Sequence, residues 1–222
     1  EEKILGGQPY IGFGWGPGAN TTSASISVTH PNIELNRSNT LIGGTDIYPL
    51  ASLTWNKGND NYKAYITGDI PVGAYSPTSL SSVGIGHGAV DAGGGYTYLN
   101  STTGLEFSGV LGATYNLMNN QTNYQNGIDS HLDWSASQFL SQQWQVGIAG
   151  YVYYQLTADS GSGDRVGAFK SQVAAVGPQV GYVFNIGANQ AYINLRTYKE
   201  FWAKNRVQGY ATIATISIPL GK

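Results

Sequence analysis

His131 lies between Asp129 and Asp133 at alternate positions. In an extended chain that spacing puts an imidazole and two carboxylates on one face, about 7 Å apart along the strand. A carboxylate-oriented imidazole suits general acid–base chemistry. The rest of a catalytic set does not accompany it: the sequence has no G-x-S-x-G nucleophile turn and no cysteine. His30, His87 and His131 are too widely separated to form a metal-ligand motif. Asp159-Ser-Gly-Ser-Gly-Asp164 looks like part of an acidic calcium loop but lacks the closing glutamate, and reads as a flexible connector. No enzyme, metal or cofactor is expected.

The side chains left to do chemistry share one face of alternating segments. By alternation that face takes Lys63, Asp69, Asp91, Glu106, Asp129, His131, Asp133, Arg196 and Glu200, with Tyr65, Tyr151, Tyr153 and Tyr198 beside them. If the face lines a pore, rings of side-chain charge and the pore diameter decide what passes. The blander expectation for each charge is pairing with its neighbours to fill a barrel interior. Arg196 is the strongest candidate for selectivity, because it sits mid-segment between Asn194 and Tyr198 and stays charged at every relevant pH. The tyrosines could stack on aromatic solutes, though packing on one another is the simpler expectation.

The elements that must carry these residues alternate with period two. In Gly104–Leu117 the residues Leu105, Phe107, Leu111 and Tyr115 oppose Glu106, Ser108, Thr114 and Asn116. Comparable segments start near Tyr62, Ile128, Trp144, Ala191 and Tyr210, and weaker ones span Leu5–Trp15, Ser23–His30, Thr45–Trp55, Val90–Leu99 and Gln172–Ile186. That makes about eleven strands of roughly 9 to 15 residues, longer than the usual five or six and suited to a tilted bilayer crossing. Polar connectors at 100–104, 141–143 and 187–190 are short; those at 73–88, 118–127, 159–168 and 203–208 are longer. Short turns alternating with long loops are a mark of outer-membrane barrels. Trp55, Tyr62, Tyr115, Trp134, Trp144, Tyr154, Phe184, Tyr192, Phe201, Trp202 and Tyr210 are expected near strand ends, where interfacial girdles form. Glycines within strands, such as Gly109, Gly112, Gly147 and Gly150, suit close approaches inside a barrel.

Composition sharpens the choice. The 222 residues carry 11 Lys+Arg and 13 Asp+Glu, and charged residues make up 11% of the chain, against about 25% for an average soluble protein. Mean hydropathy is -0.19, and no window approaches the run of about 20 apolar residues that a membrane helix needs. Sparse, balanced charge gives no basic footprint for nucleic acid. Aromatics at 12% argue against disorder. The N-terminal Glu-Glu-Lys opens no signal-peptide pattern, so a mature chain is expected. The expected fold is all-β, a transmembrane antiparallel β-barrel of about twelve strands, with residues 1–222 as one domain. A soluble barrel explains the alternation equally well and the scarcity of charge less well.

Several stretches resemble a known group of Gram-negative outer-membrane channels associated with a meta-pathway of phenol degradation. They are Gly44-Thr-Asp-Ile-Tyr-Pro-Leu-Ala-Ser-Leu-Thr-Trp55, Gly68-Asp-Ile-Pro-Val-Gly-Ala-Tyr75, Asn116–Gly127, Gly147–Gln155 running into Asp159–Gly163, Val176–Tyr182 and Glu200–Gly209. The resemblance implies a twelve-stranded monomer in the outer membrane that passes small, partly hydrophobic or aromatic compounds. Its surroundings would be outer-membrane lipid and lipopolysaccharide. Members of the group have a longer segment before the first strand and usually end in an aromatic residue, whereas this chain ends Pro219-Leu-Gly-Lys222. A closed structural or adhesive barrel and a soluble ligand-binding barrel are the competing expectations. The loops at 116–127 and 159–167, rich in Asn, Gln, Ser and Gly, are expected to fold in and narrow an outer mouth.

Overall fold

The computed structural model describes residues 2–29 and 32–219. His30 and the last three residues, which enter the sequence expectations above, lie outside the described residues. Twelve strands, all paired antiparallel, follow one another: β1 (Gln8–Gly14), β2 (Pro17–Thr29), β3 (Asn32–Gly44), β4 (Tyr48–Lys57), β5 (Asp60–Asp69), β6 (Ala89–Asn100), β7 (Leu105–Asn116), β8 (Asp129–Phe139), β9 (Trp144–Gln155), β10 (Gln172–Ile186), β11 (Asn189–Lys204) and β12 (Tyr210–Ser217). Ten of them form one sheet in the order β1-β4-β5 and onward to β12, while β2 and β3 pair only with each other.

The twelve strands are therefore divided differently from the expectation. β1 ends at Gly14 opposite Tyr48, and β2 begins at Pro17 opposite Gly44. Two residues on one arm oppose three on the other, a bulge-like mismatch. β1 with β2 and β4 with β3 thus make one long hairpin whose outer half leaves the wall. Thirteen residues per strand carry that half roughly 40 Å beyond it. β3 went unrecognised in the sequence because Glu34, Asn36, Arg37, Ser38 and Asn39 break the apolar alternation.

Connection lengths sort by end. Residues 58–59, 101–104, 140–143 and 187–188 turn at one end; the β2–β3 hairpin and the segments 70–88, 117–128, 156–171 and 205–209 all lie at the other. Gly58, with φ of 65°, supplies the left-handed conformation that the two-residue β4–β5 turn requires. The segment 70–88 is pinned to the hairpin's base by Asp46. Its carboxylate, 1% exposed, accepts from the amides of Gly73 and Ile85, both at 2.7 Å. Thr22 N donates to Ser81 Oγ and Asn20 Nδ2 to Ser82 O, at 3.0 and 2.9 Å.

The polarity of the sheet is inverted. Asp91, Glu106, Asn116, Asp129, Gln145, Gln179 and Asn194 are all 9% exposed or less, whereas Ile11, Phe13 and Leu111 are 85%, 77% and 60% exposed. A soluble sheet buries its apolar face. This one turns it outward over ten strands, which is the arrangement of a wall facing lipid with a polar interior.

Candidate functional site: the polar interior

Each strand puts alternate residues inside, and curvature brings distant strands together there. Tyr65 on β5 meets His131 on β8, three strands over, with Oη 3.3 Å from Nε2. The same Nε2 lies 3.0 Å from Asp91 Oδ2 of β6, and Nδ1 lies 3.3 Å from Asp133 Oδ2. These are the only ion pairs among the described residues. The carboxylates around His131 are therefore Asp91 and Asp133, not Asp129 and Asp133. Asp129 instead accepts from Asn116 Nδ2 at 2.6 Å and from the Tyr153 hydroxyl. Gly112 makes the first cluster possible, because a β-carbon there would overlap both the Tyr65 hydroxyl and the His131 ring.

Tyr151 and Tyr198 pack edge-to-face, with centroids 5.4 Å apart, over Ala149 and Ala175. The Tyr151 hydroxyl donates to Glu200 Oε1 at 2.5 Å, and Glu200 Oε2 accepts from Gly209 N of the β11–β12 connection at 2.8 Å. Arg206 of the same connection lies 4.8 Å from the Tyr153 ring centroid, a cation–π contact. The half of the interior nearer the long loops is thus crossed by connected side chains.

The half nearer the short turns also holds open volume. A cavity of about 420 Å³ is lined there by Glu106, Val110, Asp133, Gln145, Gln179 and Arg196, among others. Arg196 Nε donates to Asn194 Oδ1 at 2.7 Å. Glu106 accepts from Ser108 and, at 3.3 Å, from Gln145 Nε2. Lys63 faces the interior beside Tyr65, is exposed, and makes no hydrogen bond or ion pair among the described residues. Asp69 ends β5 at the long-loop side, on a cavity of about 510 Å³ shared with Tyr75 and His87. Its Oδ1 is buried without a hydrogen-bond partner among the described residues.

The register sets the thirteen sequence-predicted residues on one face of the sheet, where they form separate groups rather than a ring. Sequence reasoning overlooked the uncharged polar residues that complete the groups: Asn116, Gln145, Gln155, Gln179, Tyr192 and Asn194. Alternation placed several of them correctly; attention to charge alone passed over them. Two girdle assignments need correction. Tyr192 points inward, its hydroxyl donating to Gln145 Oε1 at 2.5 Å. Trp134 is mid-strand, against Gly150, where the neighbouring strand has no side chain to clash. Other aromatics do gather at the two ends: Trp144–Tyr182–Phe184 at the short turns, Tyr154 stacked with Trp202 at the long loops.

The long loops close over one another. Gln125 and Ser160 exchange backbone hydrogen bonds at 2.9 Å, and Gly163 N donates to Asn123 O at 2.9 Å. Asp159, which opens the calcium-like stretch, is occupied as an acceptor by Gly127 N, Gln155 Nε2 and the Tyr124 hydroxyl. Burial and the adjoining carboxylate push the Tyr124 pKa up.

A family profile described as "Putative MetA-pathway of phenol degradation" matches residues 3–216. The chain belongs to that family. No curated protein matches the sequence. Among solved structures, the crystal structure of an outer membrane channel from Pseudomonas putida F1 is similar, with a TM-score of 0.64 at 11% identity, covering 98% of this chain and 95% of that one. With this likeness, the inverted polarity makes the family member a transmembrane β-barrel of the outer-membrane type.

Proposed function

We propose that the protein is an outer-membrane channel that lets small, partly hydrophobic or aromatic solutes cross by passive diffusion. The observation that carries this is a wall apolar outside and polar inside, with open volume at both ends of the interior. The P. putida protein's description as an outer membrane channel supports the reading, as does the family's link to phenol degradation. Size exclusion and interior charge would set selectivity. The groups that a solute meets are Lys63, Asp133 and Arg196, with the tyrosine and His131 clusters forming the narrow zone. No energy coupling or catalytic step is required.

The saturated side chains of the long-loop half favour a second reading, a closed structural barrel. Planar-bilayer conductance, with liposome uptake of phenol-sized solutes, separates the two. Folded protein, verified by heat-modifiable gel migration, should show both activities. Loss of both would sink the channel and leave the closed barrel.

A further inference from the structure

The charges on the outer face are few and unevenly placed. In the ten wall strands, the register puts Asp69, Asp91, Glu106, Asp129, Asp133 and Glu200 inside. Outward charges among the described residues of these strands are Lys57 and Asp60, opposite each other in register at a short turn, and Lys199 and Lys204 on β11. At the long-loop rim every outward charge is therefore a cation. Lys170 joins them from the β9–β10 connection: Asn205 Nδ2 donates to Lys170 O at 2.8 Å, and Lys204 opposes Gln172. All three lysines are exposed. The acids of that connection are engaged elsewhere, Asp159 inside the mouth and Asp164 accepting from Gly167 N.

In register, Lys204 opposes Gln172, which opposes Tyr154 of the stacked Tyr154–Trp202 pair, so the lysines share the long-loop end of β9 to β11 with an aromatic pair of the kind that sits at the headgroup level. A lysine on a lipid-facing wall is costly within the hydrocarbon and must reach toward the headgroups. Lys170 is partly committed, its Nζ donating to Leu156 O at 2.7 Å, so its ammonium is held at the rim. Lys199 and Lys204 make no side-chain bond among the described residues.

We propose that Lys170, Lys199 and Lys204 form a binding site for an anionic, phosphate-bearing lipid of the outer leaflet, whose chains lie on the apolar band below. Lys204 and Lys170, two residues apart in register, take the phosphate, Lys199 lower on β11 adds its positive field to the same headgroup, and the Tyr154–Trp202 pair marks the depth at which it sits. The site depends on the membrane placement of the wall and not on conduction.

The test uses the full chain reconstituted in phosphatidylcholine bilayers with a minor fraction of phosphatidic acid or of uncharged diacylglycerol, with lipids retained on the protein counted by native mass spectrometry. Phosphatidic acid should be retained preferentially. K170Q/K199Q/K204Q should lower that retention at least about tenfold, and K57Q should not. K199Q/K204Q, which leaves the Lys170–Leu156 bond intact, should lower it less and guards against a folding defect. Equal retention by wild type and the triple variant overturns the site. Full displacement by millimolar inorganic phosphate overturns the assignment to lipid. Conductance should be the same in all variants, so a non-conducting barrel that still selects the lipid refutes the channel and leaves this site standing.

Discussion

Individual interior residues differ in whether they are free to act or already committed, and that decides what changing them does. Asp46 is wholly committed: two amides of the segment 70–88 point at its buried carboxylate. Asp46→Asn would turn an NH2 toward one of those amides, at a cost of about 1–3 kcal/mol for an unsatisfied buried donor. Hydrogen exchange should accelerate at Gly73 and Ile85 while the wall amides stay protected. Gly112→Val should be worse for the wall itself. The added atoms meet Tyr65 and His131, and overpacking of this kind costs roughly 1–3 kcal/mol, visible as a lower temperature for loss of the heat-modifiable band. Alternation located Gly112 on the interior face; it could not show the approach of a tyrosine from two strands over, which only curvature creates. For the same reason the Asp129–His131–Asp133 spacing suggested the wrong pair of carboxylates around the imidazole.

At the scale of elements, the interlocked loops control access to the interior. Deleting residues 119–126 removes Tyr124 and the backbone exchange between Gln125 and Ser160, so single-channel conductance should rise; an unchanged value would mean these loops do not narrow the mouth. The clamp also has a pH limit. The Tyr124 hydroxyl, its pKa raised above the ordinary value of 10.0 by burial and by Asp159, holds the two loops together only while protonated. Its contribution is complete below about pH 10 and fades as pH climbs beyond that. Protease sensitivity of the 117–128 loop should increase above pH 10 in wild type, and Tyr124→Phe should be sensitive already at neutral pH with a flatter profile. Loop lengths were legible in the sequence because Asn, Gly and Ser runs interrupt the alternation. β3 of the outer hairpin was not, since a strand that leaves the wall needs no apolar face and so carries a weaker period-two signal, although Ser23–His30 marked most of β2.

For the molecule as a whole, the scarcity of charge and its placement are one fact. Lipid excludes charge from most of the outer surface, so the acids collect inside, where Asp91, Glu106 and Asp129 are buried and hydrogen-bonded and meet a passing ion less directly. Asp133 is different: its side chain is 62% exposed and lines the open cavity together with Arg196. These two opposed charges should therefore set ion preference in opposite directions. At roughly 8 Å in a water-filled interior each contributes about 0.5 kcal/mol to a passing monovalent ion, attractive for one sign and repulsive for the other. Asp133→Asn should shift the cation-to-anion permeability ratio toward anions, and Arg196→Gln toward cations, each by roughly two- to fivefold. Reversal potentials across a KCl gradient measure both shifts. Glu106→Gln, at a carboxylate already bonded by Ser108 and Gln145, should move the ratio less than either. If Glu106→Gln moved it most, the ion path would run along the β7 wall rather than between Asp133 and Arg196.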